Sequence, residues 1–271
     1  MSNAFHDNII TILGCGDSAG VPRIGGEWGA CDPLEQKNLR SRPSLLVQSS
    51  TSVIAVDTGP DFRTQLTKEK ILDLNGVLFT HGHSDHVNGI DELRSYHRRN
   101  KKYMPVYTDE ITSQELLHRF SYVFKQKSEF YPAVAEIHVL KDSDMGIEHH
   151  INDISFVPFV QDHGEGVRSL GYRFGMVGYS TDMVDLDERA IDALKGIKTW
   201  IVDCADYHKP SGYFHASFSN LKKLNEKIGA EKLFLIHMGI HMDYKKVLSE
   251  CPDGYRPAYD GLKIKSDGSV L

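Results

Sequence analysis

The chain has 271 residues, 40% of them hydrophobic and 25% charged, which is typical of a globular protein that needs neither disulfides nor structural metals to bury its core. A formal net charge of -6, from 31 basic and 37 acidic residues, excludes a global attraction to nucleic acid or anionic membranes, although a local basic patch is still compatible with it. Four dispersed cysteines, together with the lack of a signal-peptide pattern or a bilayer-length apolar run, predict a cytoplasmic protein without membrane spans.

Short runs of β-branched and other apolar residues predict strands along the whole chain. In chain order these strands cover residues 9–13, 45–47, 53–56, 77–79, 154–157, 200–202 and 233–236. Apolar residues at helical spacing and helix start signals predict helices over 61–70, 110–124, 187–195 and 217–228. Strands dominate both halves, and neither GxGxxG after a strand nor GxxxxGK[ST] occurs, so a layered α/β sandwich is favoured over a Rossmann sheet.

The segment 96–150 has the weakest regular pattern and is rich in Lys, Tyr, Glu and His. We interpret it as a partly helical insertion near the functional site. Because it lacks the features of a separate unit, we expect residues 1–271 to form a single domain.

The strongest chemical signal is the run HGHSDH at 81–86, which directly follows the strand-like segment 76–80. Imidazole nitrogens suit zinc, manganese or iron, and a carboxylate suits the harder of these ions. His81 and His83 can share one ion, while Asp85 and His86 can face a second. The alternative is a His-rich surface tract, but such tracts lack this placement after a strand and the fixed Asp.

Three later residues occupy comparable places, because His163, Asp182 and His237 each lie just beyond an apolar strand. Taken singly, a His or Asp at a strand end is more often a cap or a satisfied polar residue. Taken together with the first cluster, they can complete a metal site at one edge of a sandwich.

The order HxHxDH, then His, Asp and His, resembles the metallo-β-lactamase superfamily. The segments TILGCGDSAGVP at 11–22, VDTGPD at 56–61 and YSTD at 179–182 resemble its PhnP-like phosphodiesterase branch, which is related to ribonuclease Z. The resemblance covers nearly the whole chain, and it implies an αββα sandwich of the metallo-β-lactamase type with the metal site at one edge.

Residue by residue, the resemblance implies a binuclear site for Zn²⁺ or Mn²⁺. One ion is assigned to His81, His83 and His163, the other to Asp85, His86 and His237, and Asp182 bridges both. Asp85 counts both as a ligand and as a catalytic residue, and Asp57 braces the ligand loop without binding metal. In this arrangement a hydroxide that bridges the metals attacks the substrate.

The leaving group of a phosphodiester benefits from a proton donor, and His215 matches the position of the family's catalytic His. The alternative for His215 is a helix-capping role, and His208 is a weaker rival. The candidate substrate contacts are Ser18 in the Gly-rich turn and, after it, Arg23, Arg40 and Arg42, although exposed arginines are more often merely solvated.

The sequence departs from the branch in one respect, because the branch holds a structural zinc in a cysteine cluster after the Gly-rich turn. Only Cys31 is present in that region, and one Cys with at best His241 cannot complete a tetrahedral site. We therefore expect no structural zinc, and we expect the loop 25–40 to be held by packing through Trp28 and Pro33.

The favoured function is a phosphodiesterase that acts on a small or cyclic phosphodiester. A tRNA 3′-processing endonuclease like ribonuclease Z is the nearest alternative, so nucleic acid is a less favoured partner, and a homodimer is also compatible with the sequence. The candidate contacts for tRNA form one basic cluster, namely Arg94, Arg98, Arg99, Lys101 and Lys102. A thioester or lactone hydrolase, or a non-hydrolytic accessory protein like PqqB, also stays open, since the fold does not fix the substrate.

Overall fold

A computed structural model describes residues 8–128, 130–209 and 213–271. Within them the strands are β1 (Ile9–Gly14), β2 (Ser44–Gln48), β3 (Val53–Val56), β4 (Gly76–Leu78), β5 (Met104–Asp109), β6 (Ala135–Leu140), β7 (His149–Ile151), β8 (Ile154–Asp162), β9 (Arg168–Phe174), β10 (Val177–Ser180), β11 (Thr199–Asp203), β12 (Lys232–Ile236), β13 (Tyr255–Pro257) and β14 (Lys263–Lys265). The α-helices are α1 (Phe62–Lys68), α2 (Ser84–Val87), α3 (Leu93–Asn100), α4 (Glu110–Arg119), α5 (Ser121–Phe124), α6 (Glu188–Leu194), α7 (Phe218–Ile228) and α8 (Tyr244–Glu250).

The strands form two mixed sheets. The first has the order β14-β1-β2-β3-β4-β5-β6, and the second has the order β13-β12-β11-β10-β9-β8-β7. In the first sheet β1, β2 and β3 pair antiparallel and β3 to β6 pair parallel. The second sheet repeats this division, with β7 to β10 antiparallel and β10 to β13 parallel. The predicted αββα sandwich is confirmed.

Strands of the first sheet are apolar on both faces because both faces are covered. In β2, Leu45 and Val47 belong to the large core between the sheets, whereas Leu46 faces a second core. Helices of the first half of the chain complete that second core, for example through Phe62 of α1 and Leu93 of α3. This burial on both faces explains why the sequence shows continuous apolar runs rather than alternation.

The helices predicted from the sequence form where their start signals lie. Asp187 caps α6 by accepting a hydrogen bond from Ala190 N at 2.8 Å, and Ser217 caps α7 through Asn220 N at 3.2 Å. The predicted helix 110–124 is divided into α4 and α5, because Phe120 between them has φ -122° and ψ 36° and is not helical.

The segment 96–150 differs from the partly helical insertion that the sequence suggested. It contains most of α3, all of α4 and α5, and also β5 and β6 of the first sheet and most of β7 of the second. The strand β5 was missed because it contains Pro105 and ends in polar residues, a composition that argues against a strand between two neighbours. The segment is therefore a structural part of both sheets.

Among the described helices, none combines the length and the apolar character that a membrane span requires.

Candidate metal centre

The polar residues at the ends of six strands meet at one edge of the sandwich. They are Asp57 after β3, His81 after β4, His163 after β8, Asp182 after β10, Asp203 at the end of β11 and His237 after β12. These strands run in the same direction within their sheets, because β8 and β10 are both antiparallel to β9. Ligand sites in α/β folds lie beyond such carboxyl ends of strands.

Three imidazoles form a first group of potential ligands at this edge. The ligand atoms of His81, His83 and His163 all lie within 4.8 Å of one another. Nε2 of His163 is 3.4 Å from Nδ1 of His83, and His83 is the exposed member of the group. The group can therefore hold one ion near the protein surface.

The second group consists of Asp85, His86, Asp182 and His237, which are all buried, with ligand atoms within 4.8 Å of one another. Oδ2 of Asp182 is 3.0 Å from Nε2 of His86, and Oδ1 of Asp182 is 3.2 Å from Nε2 of His237. The same Oδ1 is 3.8 Å from Nε2 of His163 in the first group. Asp182 thus lies between the two groups, and the structure brings together all seven residues that the sequence proposed as ligands.

The buried nitrogens of this site match the donors that a divalent ion needs. Nε2 of His81, His86 and His237 are buried, and none has a partner in hydrogen-bonding geometry. An unsatisfied buried polar atom costs about 1–3 kcal/mol, so three of them in one place call for a ligand. Imidazole nitrogen with carboxylate oxygen is a donor set for zinc or manganese. The residues therefore fit divalent metal ions.

Protonation of the imidazoles in the metal-free chain follows their surroundings. Burial lowers the pKa of His81 and of His163. Burial acts in the same direction on His86 and His237, but the carboxylate of Asp182 and its acidic neighbours outweigh it and raise the pKa of both. Because histidine binds metal in its neutral form, an ion must displace these protons.

Three residues of the site have a left-handed backbone that L-residues adopt at a cost. The φ angles are 63° for Asp57, 49° for Asp182 and 58° for His237. Such conformations persist only where the surrounding structure holds them, and they concentrate at functional sites. The backbone is thus strained at a supporting residue and at two candidate ligands.

Asp57 contacts the ligand loop and not the nitrogens that are available to a metal ion. Its Oδ1 accepts a hydrogen bond from Thr80 N at 2.8 Å, and its Oδ2 lies 2.8 Å from Thr80 Oγ1 and 2.7 Å from Nδ1 of His86. Thr80 Oγ1 is in turn 3.0 Å from Nδ1 of His81. Asp57 therefore fixes which nitrogen of His86 faces the metal.

Replacing Asp57 by Asn should weaken metal binding by roughly 10- to 100-fold, the usual effect of losing an outer partner of a metal ligand. The reason is that the amide cannot match the charge that orients His86. A chelator competition titration measures the change, with Asp61→Asn as the matched control, because Asp61 lies in the same loop but pairs with Arg42. Equal affinity in Asp57→Asn and wild type would contradict the role.

His215 lies beside the ligands and is oriented by a buried carboxylate. Its Nδ1 is 2.7 Å from Oδ2 of Asp203, and its ring centroid is 4.6 Å from that of His237. Burial opposes protonation, but Asp203 outweighs it and raises the pKa of His215 to about 9. In contrast, the rival His208 is 59% exposed and lies 3.9 Å from Glu250.

Asp203 is a functional candidate that the sequence analysis missed. It is fully buried, and its carboxylate also accepts hydrogen bonds from Met183 N and Ala205 N at 3.1 and 2.8 Å. The signal was available, since an acidic residue follows the predicted strand 200–202 just as Asp57 follows 53–56. Arg119 was also missed; it donates hydrogen bonds to Gly82 O within the ligand loop and to Asn88 Oδ1.

Replacing Asp203 by Asn should move the pKa of His215 in the metal-free protein from about 9 toward the ordinary value near 6.5. A raised pKa means that the proton on His215 stabilises the fold fully below about pH 6.5, and that this contribution is lost as the pH rises through about 9. An NMR titration of the His215 ring measures the shift. Asp206→Asn, a weaker contributor, should change it less, and an unchanged pKa in Asp203→Asn would refute the pairing.

The arginines among the candidate substrate contacts have partners of their own, and Arg40 is buried rather than open to a substrate. Arg23 lies 3.6 Å from Asp17, and Arg42 lies 2.9 Å from Asp61. Ser18 is exposed in the Gly-rich turn. Contact between these side chains and a substrate stays a prediction.

Comparisons with known proteins identify the family and the fold. Residues 53–238 match the model of the beta-lactamase superfamily domain. A diphosphatase from the PhnP family, known from its crystal structure, is 30% identical with a TM-score of 0.84, covering 95% of this chain and 96% of its own. The short form of human tRNase Z is 14% identical with a TM-score of 0.67, covering 94% of this chain and 98% of its own, and this likeness concerns the fold.

A curated relative extends beyond the present chain. The octanoyltransferase of Porphyromonas gingivalis (strain ATCC BAA-308 / W83) is 30% identical over 264 residues, which cover 94% of this chain and 51% of that protein. The chain therefore spans about half the length of this relative.

Proposed function

Since the chain belongs to the PhnP family of the beta-lactamase superfamily, we propose that it is a binuclear metal-dependent hydrolase that cleaves a small phosphodiester. Zn²⁺ and Mn²⁺ are the ions that its donor set suits. When bound, two such ions supply an activated water near neutral pH and stabilise the attacking and leaving oxygens of an in-line displacement.

The position of Asp182 carries this proposal. One carboxylate lies within 3.8 Å of imidazole nitrogens from both ligand groups, which is the arrangement that a bridging ligand requires. A buried carboxylate would also offset the positive charge of the bound ions, which neutral imidazoles do not compensate. Burial alone would raise the pKa of Asp182, but His237 and His86 lower it well below the ordinary value, so it is ionised and ready to bind.

The chain's own groups have separate roles in this proposal. Asp57 orients His86, and Asp203 orients His215 with Nδ1 toward the carboxylate, leaving Nε2 as the proton-donating atom. His215 then donates a proton to the departing alkoxide oxygen. In the metal-free chain, Asp203 raises the pKa of His215 and so favours the protonated form that a proton donor needs.

The test is turnover of bis(p-nitrophenyl) phosphate by metal-stripped protein to which Zn²⁺ or Mn²⁺ is added back. We expect turnover that depends on added metal and stops with a chelator. No turnover with either ion, in protein shown to carry two ions, would overturn the phosphodiesterase proposal.

A phosphoanhydride is the second candidate substrate, because the PhnP-family neighbour at 30% identity is a diphosphatase. Both reactions use the same in-line displacement, but a phosphate leaving group needs less help from an acid than an alkoxide does. ADP-ribose and a 2′,3′-cyclic nucleotide, compared at equal enzyme concentration, distinguish the two substrate classes.

Two further substrate classes can be tested in the same assay. An octanoyl thioester tests acyl chemistry, which the relationship to half of an octanoyltransferase suggests. A tRNA precursor tests ribonuclease activity, for which the basic cluster at the end of α3 would have to bind phosphates. Preferred turnover of either one would replace the small phosphodiester as the substrate.

A further inference from the structure

We propose that Arg40 is a positioning residue for the second ligand group, which it orients through the segment that follows His237. This inference rests on the metal centre of the proposed function. It concerns binding of the ions and not turnover, so the two proposals can be tested separately.

Arg40 is a buried cation whose partners are uncharged. Its side chain is among the largest that are fully buried, with only 2% of the residue exposed. Nη1 lies 3.4 Å from Gly239 O and 4.0 Å from Cys31 Sγ, and Nη2 donates to Asn38 Oδ1 at 3.1 Å. A buried charge is costly unless fixed dipoles compensate it. The guanidinium is therefore confined to the place where these three acceptors surround it.

The guanidinium joins two segments that are distant in the sequence. Asn38, which is fully buried, donates from Nδ2 to Asp243 Oδ2 at 2.7 Å and accepts from Tyr244 N at 2.8 Å. Ile240 O accepts hydrogen bonds from Ala30 N at 2.8 Å and from Cys31 Sγ at 3.5 Å. The segments 30–40 and 239–244 are thus tied together around Arg40. Of the two residues expected to hold this loop by packing, Trp28 does pack against Val21, Cys31 and Ile240, whereas Pro33 is exposed and contributes no buried contact.

His237 depends on this connection because its backbone is strained. Its φ of 58° must be maintained by contacts on both sides. On one side it continues β12. On the other, Met238 N donates to Cys15 O at 2.9 Å, and Gly239 O accepts hydrogen bonds from Met242 N at 3.1 Å and from Arg40 Nη1 at 3.4 Å. Without the cation, this segment loses the side-chain contact that ties Gly239 to the segment 30–40, so we expect it to relax and Nε2 of His237 to move relative to Asp182.

The effect should be confined to one ion. His237 belongs to the second group, whereas His81, His83 and His163 come from loops after β4 and β8 that the contacts of Arg40 do not reach. A general loss of stability would lower the affinity for both ions. Loss of a positioning contact should lower only the affinity for the ion that His237 binds.

The experiment measures Zn²⁺ binding by isothermal titration calorimetry to metal-stripped full chain. Arg40→Met keeps the length of the side chain and removes the charge, and we expect one affinity to be unchanged and the other to fall by roughly 10- to 100-fold. Arg40→Lys keeps the charge but not the planar guanidinium, and it should lower the affinity for the same ion by a smaller factor. If Arg40→Met does not fold, Arg40→Lys decides the question.

Arg173→Met is the matched control. Arg173 also donates to backbone carbonyls, those of Gly175, Ala193 and Lys195 at 2.7 to 2.9 Å, but at the far end of β9 from the ligands. Arg173→Met should bind both ions as tightly as wild type. If the Arg40 variants keep both affinities, or lose affinity for both ions equally, the positioning role of Arg40 is overturned. A wild-type protein with a single ion would refute the binuclear centre, and the effect of Arg40→Met on that ion would then decide the role of Arg40.

Discussion

Replacing Asp182 by Ala should abolish binding of at least one ion and lower turnover by roughly 10³-fold or more. The carboxylate lies between both groups of imidazoles, so its loss removes a ligand from each ion and leaves the charge of the site uncompensated. Bound metal contributes several kcal/mol of transition-state stabilisation, and each 1.4 kcal/mol corresponds to about tenfold in rate. Metal content by mass spectrometry and turnover of bis(p-nitrophenyl) phosphate measure the two effects.

Asp192→Ala is the control for this substitution. Its side chain is 64% exposed on α6 and pairs with Lys195, so both metal content and turnover should equal those of wild type. If Asp182→Ala keeps two ions, the carboxylate is not a bridging ligand, and the assignment of the site fails.

Replacing His215 by Ala should leave metal binding intact and lower turnover of an alkyl phosphodiester by roughly 10²- to 10⁴-fold, the usual contribution of a positioned acid. p-Nitrophenolate departs without much protonation, so turnover of bis(p-nitrophenyl) phosphate should fall far less. The measurement is the ratio of kcat values for the two substrates, determined in variant and wild type with both ions bound.

His208→Ala is the matched control, since this exposed histidine lies nearby in the sequence and pairs with Glu250. It should behave as wild type on both substrates. Full activity of His215→Ala on the alkyl substrate would exclude His215 as the acid. Loss of an ion would instead identify His215 as a ligand, because its ring nitrogen also lies within 4.8 Å of a ring nitrogen of His163 and a carboxylate oxygen of Asp182.

Much of the candidate site could be predicted because its residues follow one local rule. His81 to His86 lie in a single loop, and His163, Asp182 and His237 each follow a run of apolar residues that forms a strand. Since the ends of these strands meet at one edge, a pattern along the chain becomes a cluster in space. The same rule would have found Asp203, which ends β11.

Other parts of the structure leave no such pattern in the sequence. Arg40 reads as an exposed residue because arginine is rarely buried, and its partners Cys31, Asn38 and Gly239 come from two distant segments. The strands β5 and β6 contain proline, charged and polar residues, and their place in the sheet is decided by pairing with each other and with β4. Long-range contacts of this kind override local propensity.

The most direct test of a binuclear hydrolase is turnover of bis(p-nitrophenyl) phosphate measured while metal-stripped protein is titrated with Zn²⁺ or Mn²⁺. If both ligand groups must be filled, turnover should stay near zero until the first ion is bound and rise in proportion to binding of the second. Full turnover with one bound ion, or none in protein that carries two, would contradict this account.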